Sequence, residues 1–472
     1  MAFLLGGANS AADTGFEVAN SCRFNDGDTA TLEKALGTPT SQKKFTYSCW
    51  FKRGVLSGDQ SLFSCGSSGD DEWNDFRLGS GGEIQWYIDR DGRYYLTTDR
   101  LFRDVSAWYN FVIAVDTTQA TDTNRVKIYV NGTQIPTADL NVTGYPAENY
   151  DLTAMASGEN VSIGKRAKGG ALNLDGYLAE ACFIDGLALS PTSFGEYDSD
   201  SPTIWKPIDV SELTFGNNGF YLDFEDSSNL GNDANGGTDL TEANLAAADQ
   251  ATDTPTNNFC TMNPLDNFYQ GHTFSEGNCK VVTQANSVYT FSSGTIGVSS
   301  GKWYAECKLA ASGGYADIGI ADTVSSGTVD SLGGDANEYA KHDHASTVTA
   351  ANVAVANGSA LSVGDICGVF VDLDNSKLYF SINGSLQNTT GIGITAAAST
   401  KNGYYLFGGG DEDGGSAVTL EWNFGGCSSF SLSSAVTDDN GYGNFEYTPT
   451  VTVESVETKF YALCTKNLAE YG

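Results

Sequence analysis

The sequence predicts an all-β chain of two antiparallel β-sandwich domains joined by a polar linker. Two hairpins of one design lie about half a chain apart, at 111–132 and 364–384. Gly occurs 55 times and Pro 9 times among many Phe, Tyr, Val and Thr residues. No convincing amphipathic helix exceeds about three turns. The length of 472 residues is too great for one hydrophobic core and suits two domains of roughly 200 residues each.

The second hairpin shows the strand pattern most clearly, in the stretch GDICGVFVDLDNSKLYFSING. Residues 369–372 alternate with the period of two that is typical of a β-strand. The second strand ends in Asn383-Gly384, which predicts a type I′ turn because both central residues of that turn need positive φ. Residues 111–132 repeat the design, with an apolar strand, a polar turn, an alternating strand and Asn-Gly. Two domains built on the same kind of sheet are therefore expected.

The first domain is predicted to span 16–228, after a small and polar N-terminal arm at 1–15. The stretch 45–52 reads FTYSCWFK and is nearly all apolar, as expected for a strand in the middle of a sheet. Strands are predicted, in chain order, at 21–24, 30–32, 45–52, 60–65, 76–78, 83–88, 94–97, 108–115, 126–130, 161–164, 176–184 and 219–224.

Residues 229–258 are rich in Asn, Asp, Gly, Thr and Ala, a composition that predicts the polar linker. The second domain then covers 259–472. Apolar and polar residues alternate along its strands, and turns occur roughly every 8–12 residues. This pattern favours a two-sheet sandwich. Besides the hairpin, its strands are predicted at 263–265, 279–282, 301–309, 317–321, 404–408, 418–424, 447–449 and 460–463.

The formal net charge of −34, from 59 acidic and 25 basic residues, excludes two classes of partner. Binding to nucleic-acid phosphates and docking on anionic lipid both need clustered Lys and Arg. We interpret the acidic balance as a solubilising surface. No segment reaches the length of a transmembrane helix, so no membrane insertion is expected.

The counts of ten cysteines and three histidines limit the metal and redox chemistry that the chain can carry out. Cys49, Cys182, Cys307 and Cys367 lie inside apolar strand patterns and are expected to be buried thiols. No CxxC motif occurs, so a zinc site is not expected. The first residues, MAFLLGGANS, lack the basic region and long apolar run of a signal peptide, which favours synthesis in a reducing cytoplasm.

Ordered motifs carry a family resemblance along nearly the whole chain. The first half contains SCRFNDGDTATLEKALGTPTSQKKFTYSCWFKRG, WYNFVIAVDTT, RVKIYVNG, DGYLAEACFIDGLALSPTSFGEYD and GFYLDFEDSSNLGNDANG. It resembles the concanavalin A-like (laminin-G-like) jelly-roll module of large phage structural proteins. The second half contains TIGVSSGKWYAECKL, DIGIAD, LEWNFGG and FEYTP besides the hairpin, and resembles a SPRY module. The joint PTNNFCTMNPLD and the ending FYALCTKNLAE are similar to the same group of phage virion proteins.

The resemblance implies a virion protein made in the host cytoplasm, with other virion proteins as partners. Our leading hypothesis is a tail fibre or similar appendage subunit that contacts a host-surface glycan or protein. Fibres are commonly homo-oligomers, and a trimer is the favoured state. A head-decorating or tail-decorating subunit is the first alternative, and a polysaccharide depolymerase is the second.

No catalytic arrangement is predicted. Glucanases of this fold use the spacing Glu-x-Asp-x-x-Glu, which is absent from the chain. Asp223 and Glu225 share a strand face, and the loop GGGDEDGG carries three acids, but both sets are interpreted as solvated turn acids. The histidines lack a nucleophile context such as GxSxG. We therefore expect no enzyme activity.

Candidate ligand-binding residues come from aromatic side chains beside polar groups, which is the composition of many carbohydrate sites. By alternation, Trp86 and Tyr87 must point to opposite faces of their strand. In the second domain His342 and His344 lie two positions apart and would share a metal on a strand, although the polar stretch favours a solvated loop. The candidates are Trp73, Trp86, Tyr87, Tyr94, Tyr95, Tyr339, His342 and His344.

Calcium is the one cofactor that the sequence suggests, because carboxylates are the oxygen ligands that Ca²⁺ prefers. The alternative interpretation is that these acids are solvated surface residues that bind no metal. The candidate ligands are Asp70, Asp71, Glu72 and Asp75 in the first domain and Asp411 and Asp413 in the second.

Overall fold

The computed structural model describes residues 4–5, 15–66, 72–89, 94–268, 271–285, 289–322, 331–412 and 415–472. The chain divides into two units, Ala12–Thr256 and Asn257–Gly472, the second joined by Met1–Ala11. Both are built from antiparallel sheets, so the all-β prediction is confirmed.

The strands up to residue 256 include a counterpart, within a few residues, of each strand predicted for this part of the chain. They are β1 (Leu4–Leu5), β2 (Ser21–Phe24), β3 (Thr31–Ala35), β4 (Lys44–Arg53), β5 (Gln60–Cys65), β6 (Trp73–Leu78), β7 (Glu83–Asp89), β8 (Tyr94–Leu101), β9 (Trp108–Asp116), β10 (Val126–Val130), β11 (Thr133–Gln134), β12 (Leu140–Val142), β13 (Asn160–Ile163), β14 (Gly176–Asp185), β15 (Gly195–Tyr197), β16 (Trp205–Pro207), β17 (Phe220–Leu222), β18 (Thr241–Ala243) and β19 (Gln250–Ala251). Short 3-10 helices lie at Asp26–Asp28, Asp122–Asn124, Thr137–Asp139, Thr153–Met155, Pro191–Ser193 and Ala247–Asp249.

The first unit is a sandwich of two antiparallel sheets. In one sheet the strand order is β11-β10-β9-β4-β14-β2-β19, and β17 also pairs with β14. In the other it is β12-β8-β7-β6-β5-β13-β3-β18. Both sheets contribute side chains to one buried core, where Tyr47 of β4 stacks on Phe63 of β5 with ring centroids 4.5 Å apart. Alternate residues of each strand enter this core, which leaves the other alternate residues on the outer faces.

The segment predicted as a linker is instead part of the first unit. β18 pairs with β3 and β19 pairs with β2, so residues 241–251 extend both sheets at their edges. Asp253 Oδ2 lies 2.6 Å from Lys52 Nζ, and each side chain is only 1% exposed. Trp108 Nε1 also donates to Asp253 Oδ1, at 3.0 Å. Edge pairing, the buried ion pair of Lys52 and Asp253, and the two core leucines Leu230 and Leu240 hold the segment in place.

The second unit contains the remaining strands and one α-helix. They are β20 (Met262–Phe268), β21 (Thr273–Ser275), β22 (Lys280–Val282), β23 (Thr290–Gly294), β24 (Ile296–Gly297), β25 (Lys302–Ala311), β26 (Ala316–Ala321), β27 (Glu338–His342), β28 (Thr347–Ala350), β29 (Val353–Ala356), β30 (Ile366–Asp372), β31 (Lys377–Ile382), β32 (Ser385–Leu386), β33 (Ile392–Gly393), β34 (Leu406–Asp411), β35 (Thr419–Asn423), β36 (Thr450–Val453), β37 (Val456–Lys459), β38 (Tyr461–Ala462) and α1 (Thr465–Tyr471), with a 3-10 turn at Ala397–Ser399. None of the helices in the described chain has the length and apolar character needed to cross a membrane.

Two larger sheets enclose the core of the second unit. One has the strand order β20-β23-β34-β26-β27-β28-β29. The other has the order β21-β22-β35-β25-β30-β31-β32, with β33 and β38 added at β31 and β25. Trp303, Phe380 and Trp422 are fully buried between them. Of the predicted N-terminal arm, Leu4–Leu5 pairs in parallel with β24, while 1–3 and 6–14 lie outside the described residues.

Both predicted Asn-Gly turns have the expected backbone. Asn131 and Gly132 have φ of 47° and 76°, and Val130 pairs with Thr133 across them. Asn383 and Gly384 repeat this geometry, with φ of 49° and 76°. Two successive residues at positive φ are the requirement of a type I′ turn, so the prediction from local sequence is confirmed.

All ten cysteines lie in the described part of the chain and are buried, as was expected for Cys49, Cys182, Cys307 and Cys367 from their apolar surroundings. Burial raises the pKa of Cys49 to about 12. A thiol with such a raised pKa carries almost no thiolate at neutral pH, so the Cys49 side chain acts as a small apolar group.

Candidate functional site

Three of the predicted ligand-binding aromatic residues meet on the outer side of β6, β7 and β8. Trp73, Asp75 and Arg77 alternate along β6 and point away from the core. The antiparallel register places Tyr87 beside Asp75 and Tyr95 beside Tyr87. Directly paired residues share one face of a sheet. We call the resulting surface the aromatic face; it consists of Trp73, Asp75, Arg77, Gln85, Tyr87 and Tyr95.

Stacked rings and guanidinium groups dominate the aromatic face. The Tyr87 and Tyr95 ring centroids are 4.2 Å apart, and Trp73 lies 5.9 Å from Tyr87. Arg77 Cζ stands 4.1 Å from the centroid of Tyr87, and Arg166 Cζ stands 5.1 Å from that of Trp73. Tyr87 and Tyr95 are partly exposed, so both remain accessible to a ligand.

Polar contacts hold the Arg77 guanidinium in one position. Its Nε donates to Gln85 Oε1 at 2.8 Å, and its Nη1 donates to Asp75 Oδ2 at 3.3 Å. Asp59 lies 3.4 Å from Nη2. Burial raises the pKa of Asp75 to about 6, although the Ser61 hydroxyl and Arg77 act in the opposite direction. The face therefore combines a fixed cation, a carboxylate and an amide beside two rings.

Trp86 and Tyr94 are not on the aromatic face. Trp86 is 1% exposed and lies in the core with Phe76 and Leu96, its partners in register. Tyr94 packs against the same core, with its ring centroid 5.8 Å from that of Tyr150. Alternation explains both positions, because Trp86 precedes Tyr87 and Tyr94 precedes Tyr95 by one residue.

The calcium candidates of the first unit do not share a site among the described residues. Tyr150 donates its hydroxyl proton to Glu72 Oε2 at 2.5 Å, and the Ala154 amide donates to Glu72 Oε1 at 3.3 Å. Asp75 instead accepts a hydrogen bond from Ser61 at 2.6 Å. Asp70 and Asp71 lie outside the described residues. Glu72 and Asp75 therefore serve different structural contacts.

The predicted ligand-binding residues of the second unit also do not all lie in one place. Tyr339 is buried, and its hydroxyl oxygen accepts a hydrogen bond from the Thr395 amide at 2.9 Å. His342 and His344 instead meet Glu412, and one ligand atom from each of the three lies within 4.8 Å of the others. Glu412 was absent from the predicted metal ligands.

Asp411 and Glu412 point in opposite directions because they are successive residues at the end of β34. Asp411 is buried and accepts a hydrogen bond from Thr283 Oγ1 at 3.0 Å, away from the histidines. Asp413 lies outside the described residues. The loop GGGDEDGG, from which metal ligands were predicted, therefore does contribute to this cluster. The residue that it contributes is Glu412.

A groove of about 250 Å³ lies beside β9 and β10 in the first unit and was missed by sequence reasoning. Alternation in β10 was the available signal, since Val126, Ile128 and Val130 are buried while the intervening residues are partly exposed. Its polar and aromatic lining residues are Asp116, Gln119, Asn124, Lys127, Tyr129 and Ser190.

Residues 24–193 match the family model described as the concanavalin A-like lectin/glucanases superfamily. This part of the chain, which contains the aromatic face, therefore has the concanavalin A-like jelly-roll fold, as the resemblance implied. No curated protein matches the chain in sequence.

Several solved structures are similar to parts of this chain. A native heptameric SAP-like pentraxin from Limulus polyphemus is 16% identical, with 38% of this chain and 80% of that chain covered and a TM-score of 0.28. The SPRY domain of human HERC1 is 11% identical, with 36% and 99% covered and a TM-score of 0.28. The CBM40 of a Ruminococcus gnavus IT-sialidase, bound to alpha2,3 sialyllactose, is 18% identical, with 34% and 95% covered and a TM-score of 0.25. These values carry no conclusion about function, and the SPRY assignment of the second unit stays a prediction.

Proposed function

We propose that the first unit binds an oligosaccharide through the aromatic face, without cleaving it, and that the protein is a phage virion subunit that contacts a host-surface glycan. The observation that carries the proposal is the partly exposed pair Tyr87 and Tyr95 beside the fixed guanidinium of Arg77. The match of this region to a lectin and glucanase family model supports a sugar as the class of ligand.

The chemistry of the aromatic face suits a sugar. The C–H groups on one side of a pyranose ring are apolar and pack on an aromatic ring. Its hydroxyl groups need a few fixed donors and acceptors, which is how small-ligand sites set orientation. The partly exposed Tyr87 and Tyr95 carry hydroxyl groups that can both donate and accept. The Asp75 carboxylate is fully buried, and its hydrogen bond from Arg77 holds the guanidinium in place before a ligand arrives.

Tyr95→Ala is expected to weaken binding of host-surface oligosaccharides by at least about 10-fold, which corresponds to ~1.4 kcal/mol of lost ring contact. Tyr95 is partly exposed, so its removal leaves the core intact. Isothermal titration with oligosaccharide fragments from the host envelope measures the loss. The same samples should return the oligosaccharide uncleaved, since no catalytic role is proposed.

Tyr129→Ala is the matched control, because Tyr129 is a partly exposed tyrosine of the groove on the other sheet. Binding that survives Tyr95→Ala but is lost in Tyr129→Ala would place the sugar in the groove instead. Shortened oligosaccharide products would favour the depolymerase alternative.

The place of the subunit on the particle is a second part of the proposal, supported by the ordered motifs that resemble phage virion proteins. We propose a tail fibre or similar appendage, assembled as a homo-oligomer, with a trimer favoured. Antibody labelling of intact particles, viewed by cryo-electron microscopy, should then mark the distal ends of tail appendages. Labels spread in many copies over the head or tail would favour the decorating role.

A further inference from the structure

Metal-ligating side chains converge at one end of β26, β27 and β34 in the second unit. These strands are neighbours, with β26 in the middle. His342 ends β27 directly opposite Asp317 of β26, so the two side chains share the outer face. Asp317 also pairs with Gly410 of β34. Glu412 is two residues beyond Gly410, so the Glu412 side chain lies on the same face as Asp317.

The distances between the possible ligand atoms suit one small cation. His344 Nε2 lies 3.3 Å from Glu412 Oε2, and His342 Nδ1 lies 3.7 Å from Glu412 Oε1. The two histidines approach different oxygens of Glu412, and one ligand atom from each residue lies within 4.8 Å of the others. A tetrahedral ion with bonds of roughly 2.0–2.1 Å has edges of about 3.3–3.4 Å, so the three side chains must close slightly around it. We propose that His342, His344 and Glu412 bind one divalent transition-metal ion such as Zn²⁺, and we call this set the histidine site.

Hydrogen bonds support two of the three ligands of the histidine site, and a carboxylate lies near the third. Thr349 Oγ1 lies 2.6 Å from His342 Nε2, the ring nitrogen that does not face Glu412. Asp343 Oδ1 lies 3.6 Å from His344 Nδ1. Ser331 Oγ donates to Glu412 Oε1 at 2.8 Å. Metal-binding histidines usually have such a partner on the second nitrogen, which fixes ring orientation.

A buried acceptor beside the site gives an independent indication of a cation. Asp317 is fully buried, and its Oδ1 lies 2.5 Å from His342 Nδ1. Its other oxygen, Oδ2, has no hydrogen-bond partner among the described residues. A buried carboxylate oxygen without a partner is costly. For His342 Nδ1 to bind the ion, the ring must be neutral with its one proton on Nε2, which then donates to Thr349 Oγ1. Asp317 Oδ1 loses its contact with an Nδ1 proton, and the carboxylate faces the divalent charge instead.

The donor set selects the class of metal. Imidazole nitrogen favours zinc, nickel, cobalt and copper, whereas Ca²⁺ and Mg²⁺ prefer oxygen ligands alone. The histidine site therefore differs from the calcium set predicted at Asp411 and Asp413. It also differs from the expectation of no zinc site, which rested on the absence of CxxC spacing. The two histidines lie two positions apart, as the sequence showed, whereas Glu412 comes from the end of β34 and no local motif connects it with them.

Titration of the untagged, chelator-treated full chain with Zn²⁺ alone tests the proposal. We expect one Zn²⁺ per chain, with Ca²⁺ bound at least about 100-fold more weakly. His344→Ala and Glu412→Gln should each weaken Zn²⁺ binding by at least about 10-fold. His344 is partly exposed, so its loss spares the core. Glu421→Gln, which removes a carboxylate from the other sheet, is the control and should bind Zn²⁺ like the wild type.

Thr349 is a positioning residue that acts through His342, and it has a matched control on the same strand. Thr349→Ala should weaken Zn²⁺ binding by about 10–100-fold and change the visible absorption of bound Co²⁺, whereas Thr347→Ala should do neither. Failure of the wild type to bind Zn²⁺ at millimolar concentration would overturn the proposal. So would His344→Ala or Glu412→Gln binding Zn²⁺ as tightly as the wild type, or Ca²⁺ binding as tightly as Zn²⁺.

Discussion

Replacing Asp253 with alanine is expected to lower the free energy of unfolding of the first unit by about 3–5 kcal/mol. The change leaves the ammonium group of Lys52 buried without its carboxylate partner, 2.6 Å away in the wild type. It also removes the acceptor of the Trp108 indole N–H. Hydrogen-exchange mass spectrometry on the full chain measures the loss in each unit separately, because every peptide reports its own protection.

Asp139→Ala is the matched control, since Asp139 is an exposed acid in a 3-10 turn of the same unit. Its effect should stay within about 0.5 kcal/mol. If Asp253→Ala lowers protection only within residues 229–256, and not in β2, β4 and β14, then this segment is a peripheral attachment and its assignment to the first unit is wrong.

Glu180→Gln is expected to stabilise the first unit at pH 9 and to leave it nearly unchanged at pH 5. Burial raises the pKa of Glu180 to about 8, and nearby Asp223 and Glu225 add to the effect against the opposing Tyr221 hydrogen bond. The folded state therefore holds the Glu180 proton more tightly than the unfolded chain. Stability is full below pH 4.5, the ordinary pKa, and falls as the pH rises through 8.

The expected difference at pH 9 is large, because each unit of pKa shift corresponds to about 1.4 kcal/mol. The rise from 4.5 to about 8 therefore costs the wild type up to ~5 kcal/mol. A glutamine at 180 stays neutral, and its amide oxygen can still accept from the Tyr221 hydroxyl, which donates to Glu180 at 2.6 Å. Hydrogen-exchange protection of β14 and β17, measured at pH 5, 7 and 9, reports the change in stability.

Glu148→Gln is the control for this pH dependence, because Glu148 is an exposed acid of the same unit that does not act on Glu180, so this variant should keep the wild-type profile. Parallel stability profiles for the wild type and Glu180→Gln between pH 5 and 9 would mean that Glu180 is ionised in the folded protein. The raised pKa would then be wrong, and the Tyr221 contact would be a charged hydrogen bond.

Local patterns predicted the parts of this fold that neighbours in sequence control. The Asn131-Gly132 and Asn383-Gly384 turns follow from the need for positive φ at successive residues. The opposite directions of Trp86 and Tyr87 follow from the period of two. Residues 24–193 also carry enough of the family pattern to identify their fold. None of these conclusions requires knowledge of which strands are adjacent.

The amino-acid sequence by itself determined the all-β class, the hairpins and the alternation of their side chains, because these depend on backbone preferences within a few residues. Only the tertiary structure decided that 229–256 belongs to the first unit, since Asp253 meets Lys52 from 201 positions away. Only strand order brings Glu412 to His342. Alternation specifies the face on which a side chain lies, whereas the neighbours on that face depend on which strands pair across long stretches of chain.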